Sequence, residues 1–177
     1  MSRNRVFAVV VSFFTLAACL AWAGAPGNVT DKSQSNANLA FDKLKTLAGE
    51  WEAASEKGKV TSSLELLSNG TVLLEKIRVP GDGEMVTVYY VDGNHLVLTH
   101  YCSAGNQPHM QAQAFDPASD LIRFDFTGAT NLASAADGHM HTAEIKFQGP
   151  DAFKADWTMY KDGKAAFTVP IQFHRVR

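Results

Sequence analysis

The stretch Lys59–His95, KVTSSLELLSNGTVLLEKIRVPGDGEMVTVYYVDGNH, decides the fold class. It holds three runs rich in Val, Leu, Ile, Thr and Tyr: Lys59–Leu67, Thr71–Val79 and Met85–Val91. Their apolar residues recur with a period near two, the signature of half-buried strands. Ser68-Asn69-Gly70 and Pro80-Gly81-Asp82-Gly83 separate the runs, and Asp92-Gly93-Asn94 ends the third. Gly, Asn and Asp supply the left-handed backbone that tight turns require. Links this short join antiparallel neighbours and leave no room for crossover helices.

The same pattern extends both ways. Glu50–Glu56 precedes it, and His95–Ser103, His109–Phe115, Leu121–Thr127, His139–Phe147, Phe153–Tyr160 and Lys164–Val176 follow. Asp116-Pro117, Gly149-Pro150-Asp151 and Asp162-Gly163 read as further turns. Ten such strands left in an open sheet would expose two long edges, and closure removes them. The expectation is an all-β domain over 39–177. Its first form is an up-and-down antiparallel β-barrel of about ten strands with one short helix near an open end. A β-sandwich is the alternative. Pro170 within the last run implies a bulge or an unpaired position.

Before the strands the period is helical. Asn38 is a candidate cap for a helix over Leu39–Ala48, Gly49 a candidate stop, and Phe41, Leu44, Leu47 and Ala48 share one face. Residues 24–38, GAPGNVTDKSQSNAN, are too polar to repay the entropy of ordering and read as a flexible linker.

The first 23 residues read as a secretory signal peptide: Arg3 and Arg5, an apolar run from Val6 to Leu20, and Ala21-Trp22-Ala23 as a cleavage site. The run is shorter than the roughly 20 residues a membrane-spanning helix needs. Leu16-Ala17-Ala18-Cys19 competes as a lipobox, in which Cys19 is lipidated. The expected location is therefore periplasmic, or lipid-anchored in the envelope, with membrane association only if Cys19 is lipidated. Either choice leaves Cys102 as the one thiol of the domain, and a buried, inert role is favoured for it.

The 177 residues carry 16 Lys+Arg against 18 Asp+Glu, a formal charge of −2. This balance shows no basic footprint, and no nucleic-acid partner is expected. No Gly-x-Ser-x-Gly elbow, His-Glu-x-x-His or P-loop is present. Oligomeric state is left open.

Gly49-Glu50-Trp51, a Gly-x-Trp opening the first strand after a short helix, resembles the signature of the calycins, the lipocalins and their relatives. The resemblance implies a barrel whose closed end is plugged by Trp51. It also implies an Arg from the last strand packed across that ring, Arg175 before Arg177, with Gly49, Trp51 and Arg175 as the barrel-closing set. The segment Thr99–Pro108, THYCSAGNQP, is similar to one found in a group of bacterial exported proteins, which implies export and no particular activity. The haem-binding nitrobindins share the ten-stranded shape, and this chain matches none of their haem-face motifs.

Alternation assigns the inward face. Leu98, His100 and Cys102 share it on the fifth run, with Met110 beyond the Ser103–Pro108 turn. Phe124 and Phe126 share it on the seventh. His139, His141, Ala143, Ile145 and Phe147 share it on the eighth. The expected function is an exported barrel whose lumen holds a small apolar or amphipathic molecule. Its proposed lining is Leu98, His100, Cys102, Met110, Phe124, Phe126, His139, His141 and Phe147. Asn106 and Gln107 are rim amides that either contact the ligand or, as favoured, build the turn. Two histidines two apart on a strand can reach one metal, so His100, Cys102, His139 and His141 are candidate N and S donors. A metal- or haem-binding barrel is thus one alternative and a small-molecule enzyme using the same face another. No cofactor is the leading expectation, and Glu75 and Asp125 read as isolated carboxylates.

Overall fold

Ten strands, one α-helix and a short 3-10 turn at Ser68–Gly70 form in the computed structural model, which describes residues 32–176. Residues 1–23, read above as a signal peptide, with Cys19 among them, residues 24–31 and Arg177 lie outside the described residues.

The strands are β1 (Gly49–Ser55), β2 (Gly58–Leu67), β3 (Val72–Val79), β4 (Gly83–Asp92) and β5 (His95–Tyr101). They continue as β6 (Gln107–Ala112), β7 (Leu121–Thr130), β8 (His139–Phe147), β9 (Ala152–Lys161) and β10 (Lys164–Arg175). Each pairs antiparallel with its sequence neighbour, and β10 returns to β1, so one closed barrel forms. Among the described residues all ten strands belong to this one barrel, which replaces the alternative of a sandwich. The turn residues do what the sequence asked of them: Asn69, Gly70, Gly81, Gly83, Gly93, Asp162 and Gly163 all have positive φ.

The helix α1 spans Lys32–Lys45, beginning seven residues earlier than read from sequence and taking the last part of the expected linker. Two observations account for this. Ala37 and Ala40 are buried and extend the stripe of Phe41 and Leu44 back by one turn. Asn36 exchanges two hydrogen bonds of 2.7 Å with the Phe115 backbone, a partner 79 residues away. Asn38 is therefore mid-helix and exposed. The last turn tightens through Thr46 N–H to Lys43 O and Leu47 N–H to Leu44 O. Lys43 anchors α1 to the barrel by bonding Asp120 at 2.7 Å.

This end of the barrel is filled. Trp51, Tyr89, Phe124, Phe173, Leu73, Leu96, Leu98, Met110 and Ile122 are all fully buried. Trp51 meets Phe153 edge-to-face with centroids 4.7 Å apart, and Phe153 stacks on Phe173 at 4.7 Å. Packed rings occupy the volume that a ten-stranded barrel otherwise leaves as a cavity.

Candidate functional site

The helix-covered end is locked by three residues. Gly49 has φ +136°, and a Cβ there would lie 2.6 Å from an Arg175 guanidinium nitrogen. Arg175 lies over the Trp51 ring and donates to the carbonyls of Ala48, Thr46 and Pro150 at 2.9–3.0 Å. The Trp51 indole N–H donates to Leu47 O at 2.7 Å. Three of these bonds take up the carbonyls of Thr46, Leu47 and Ala48 in the segment that follows α1.

A polar band crosses the lumen. Glu75, Thr87 and His100 are register partners in turn on β3, β4 and β5, so they form one cross-strand row. All three are buried. Ser62 Oγ and Tyr89 OH each donate to the Glu75 carboxylate at 2.8 Å. Burial pushes the Glu75 carboxyl up, against those two bonds. The Tyr89 hydroxyl is pushed well up by burial and by the Glu75 charge. His100 Nδ1 pairs with Thr87 Oγ1 at 2.9 Å, and its ring lies 4.6 Å from that of Trp157. Burial lowers His100 to about 4, so it is neutral at pH 7.

Beyond the band lies the end opposite α1, where β5, β7 and β9 finish and β6, β8 and β10 begin. His139 and His141 meet there directly, Nε2 to Nδ1 at 3.0 Å. A register shift between Met140 and Thr142 places a bulge at His141, so Met140 pairs with Met159 and continues the inward face of Ala143, while His139 pairs with Tyr160; the inward phase read from sequence for His139 and His141 ends at this bulge. His139 Nδ1 contacts Asp137 O at 2.8 Å. A carbonyl only accepts, so His139 Nδ1 carries the proton and, in the neutral ring, Nε2 carries the lone pair. His141 must then donate from Nδ1, and its own Nε2 is left bare. Among the described residues that nitrogen has no hydrogen-bond partner. The His141 ring stacks on Tyr160 at 3.8 Å and on Phe126 at 4.9 Å. Burial and the His139 charge lower its pKa, with Asp125 opposing.

The two segments singled out in the sequence adjoin at this rim. Asn106, in the β5–β6 turn, donates from Nδ2 to Gly138 O at 2.8 Å. That bond fixes the amide orientation and leaves Asn106 Oδ1 buried with no partner. Gln107 bonds Gly105 O and accepts from Asn131, holding neighbouring loops together.

The wall of this end is β10. Its row Phe173, Ile171, Val169 and Phe167 pairs with Phe153, Ala155, Trp157 and Met159 of β9 and shares their lumen face. Exposure along that row rises from 0% at Phe173 through 9% and 36% to 54% at Phe167. The β1–β10 seam comprises the pairs Trp51–Arg175 and Glu52–His174, both at the helix end. Beyond them β10 runs along β9 alone, and Pro170 sits on that singly paired stretch. The lumen thus opens progressively into a mouth.

Leu98, Met110 and Phe124 are in the packed interior, and Phe147 lies at the helix end under Lys43, away from the histidines. Cys102 is a half-buried free thiol in the β5–β6 turn. His100 is engaged with Thr87 and Trp157, while His139 and His141 spend facing nitrogens on each other. Among the described residues, no group of three or more His, Cys, Asp or Glu side chains is placed to hold a metal ion. The sequence reading missed Ser62, Glu75, Thr87 and Tyr89 as one network, and Phe167, Val169 and Trp157 as the mouth wall. A charged residue between Leu73 and Ile77, at the inward phase of β3, was the available signal for the first.

A separate cleft of about 530 Å³ lies between α1 and β4–β6, bordered by Asn36, Ala37, Ala40, Leu96, Gln111 and Gln113. Asn36 is bonded to Phe115 and Gln113 to Asp125. The cleft is the seam where the helix meets the barrel and offers little convergent chemistry.

No protein-family model matches the chain, and no curated protein does. Among solved structures, the chain is similar to the crystal structure of Rv2717c from M. tuberculosis, with TM-score 0.52 and 15% identity over 78% of this chain and 98% of that one. At that identity the likeness concerns the barrel fold.

Proposed function

We propose that this barrel binds a small apolar or amphipathic molecule at the mouth opposite α1, against Phe167, Val169, Met159 and Trp157. The observation that carries the reading is the exposure gradient along one lumen-facing row, from a buried Phe173 to a largely exposed Phe167. Large apolar side chains on an inner wall cost free energy in water unless something covers them. The row is the one that carries the buried Ile171 and Phe173 deeper in the barrel, so it continues the lumen wall outward. Rim groups with unspent hydrogen-bonding capacity orient the molecule.

Titration with Nile red, a neutral polarity-sensitive dye, tests the reading. The expected result is saturable binding by the wild-type protein and a loss of about tenfold or more in Phe167→Asp and Val169→Asp. Losing one buried apolar contact of about 1.5–3 kcal/mol corresponds to that factor. Both positions are exposed, so the variants keep the fold. Equal dye affinity in wild type and both variants overturns the proposal.

A further inference from the structure

The barrel wall is uneven at its seam. The β1–β10 ladder is two pairs long, and β1 ends at Ser55 while β10 continues along β9 alone out to Lys164. The seven residues Lys164–Pro170 are all exposed, although they form a strand. Their free edge carries unspent backbone groups. Arg175 N–H donates to Asp151 O, on the β9 side, and Val176 N–H to Glu50 O, on the β1 side. Successive residues of an antiparallel strand turn their N–H and C=O to opposite sides. The β9–β10 register is unbroken from Phe167 to His174. The backbone groups of Phe167, Val169, Ile171 and Phe173 therefore point to β9, and those of Thr168, Pro170 and Gln172 point away from it. Pro170 has no N–H to leave unpaired there, which is the placement an edge proline takes. Thr168, between Phe167 and Val169, presents both a donor and an acceptor to the open side.

An added strand is the structure that matches donors and acceptors at strand spacing. We propose that a second copy of this chain supplies it, joined edge to edge along β10 with Thr168 opposite Thr168 of the other copy. A two-fold axis at Thr168 lets the two residues exchange both N–H···O=C bonds, whereas an axis at Pro170 would lose both. The same axis sets Phe167 beside Val169 of the other copy, and Val169 beside its Phe167, as aromatic–β-branched cross-strand pairs. Charge favours the same arrangement. The β9–β10 turn carries Lys161 and Lys164 against a single Asp162, and antiparallel pairing points it at the β1–β2 turn of the other copy. There Glu56 is exposed, and Lys57 is already paired with Asp82. Among the described residues Lys161, Lys164 and Glu56 have no ion-pair partner within their own copy. The axis uses the same edge on both copies, so association stops at two. Strand addition covers the edge and leaves the lumen face open. On the mouth reading, the other copy thus contributes its Phe167 and Val169 to a wall that both share.

Sedimentation velocity of the whole protein over a concentration series tests the pairing. The expected result is a reversible monomer–dimer equilibrium that Thr168→Ser keeps and Thr168→Pro weakens about tenfold or more, the loss of two shared backbone bonds. Thr168 is exposed and turns its N–H away from β9, so the proline variant keeps the β9–β10 ladder. Cysteine cross-linking reads the register without that variant. The pairing puts the two residues 168 about 5.5 Å apart between Cα atoms, within reach of a disulfide. The two residues 164, exposed at the tip, are roughly 26 Å apart by strand rise. Thr168→Cys should therefore form disulfide dimers about tenfold faster or more than Lys164→Cys, with wild type as the control for the native cysteines. A monomer at every concentration overturns the inference. So does a dimer that Thr168→Pro leaves intact and whose two cysteine variants link at one rate. Nile red binding that depends on Phe167 in a monomeric protein leaves the mouth reading standing when this one falls. A Thr168-centred dimer whose dye binding ignores Phe167 does the reverse.

Discussion

The Arg175 guanidinium carbon lies 4.1 Å from the centre of the Trp51 ring. The two residues are also register partners across the β1–β10 seam, so one contact joins the strand that begins the barrel to the strand that ends it. The same guanidinium reaches three backbone carbonyls, two of them in the segment after α1. A single planar cation thus ties helix, first strand and last strand together.

Replacement of Arg175 should therefore cost more than a surface charge does. Lysine provides a point charge that cannot fork to several carbonyls and stack on indole at once. We expect Arg175→Lys to lose about 2 kcal/mol and Arg175→Ala about 3 kcal/mol in urea unfolding, from charge-assisted bonds and a cation–π contact. Gly49→Ala should fall in the same range, because its φ is +136° and the added carbon meets Arg175. A loss below about 0.5 kcal/mol, the scale of ordinary surface changes, would show the seam to be held elsewhere.

His100 makes stability depend on acid. Its folded pKa is about 4 against an ordinary 6.5. Between those values the unfolded chain binds a proton that the folded protein refuses, so stability falls as pH drops through that window. That stability is fully present above about pH 6.5, and about 3 kcal/mol of it is lost by pH 4. His100→Gln keeps a partner for Thr87 and removes the titration, so its stability should fall less over the same range. Glu75 acts with the opposite sign, because its pKa is raised and its contribution is lost as pH rises above 4.5. Being common to both proteins, it largely cancels in the difference. Parallel curves for wild type and variant would contradict the buried neutral imidazole.

The strands were legible because local chemistry marks them. Gly70, Gly81, Gly93 and Gly163 sit in turns, and the runs between them alternate. Once ten antiparallel strands are counted, closure follows from the edges left over. The start of α1 was not legible, since its extra turn rests on two alanines and on an Asn36 side chain whose partner is Phe115. The rim was legible only as residue types. The Gly138–His141 segment showed two histidines, but their direct bond depends on a bulge at His141 that no local residue announces. The exposure of Phe167 and Val169 depends on where β1 stops pairing with β10, a property of two chain regions that no window of sequence contains.

The Glu75 network should respond to loss of a single hydroxyl. Tyr89→Phe keeps the ring against Phe124 and removes the donor to Glu75 Oε2. We expect about 1–3 kcal/mol of destabilisation at pH 7, the cost of leaving a buried acceptor unpaired. In a double-mutant cycle with Glu75→Gln the two changes should be non-additive by about 0.5–3 kcal/mol. The cost of Tyr89→Phe should also shrink at lower pH, where a protonated carboxyl demands less of its donors. Additive losses independent of pH would place the Tyr89 hydroxyl outside the network.

The histidine relay makes a prediction that needs no ligand. In the neutral pair Asp137 O fixes the proton of His139 on Nδ1, and His139 Nε2 then fixes that of His141 on Nδ1. Nitrogen-15 NMR of the imidazoles at pH 8 should show both rings in the Nδ1–H form, with an unprotonated Nε2 on each. His139→Phe removes the acceptor that orders His141, and the His141 signals should then move towards the mixture of tautomers an unconstrained ring adopts. On acidification His141 should take its proton at Nε2, the lone pair left open, below the ordinary histidine range because burial and the neighbouring ring disfavour the charge. An Nε2–H form of His141 in the wild-type protein would overturn this assignment of tautomers.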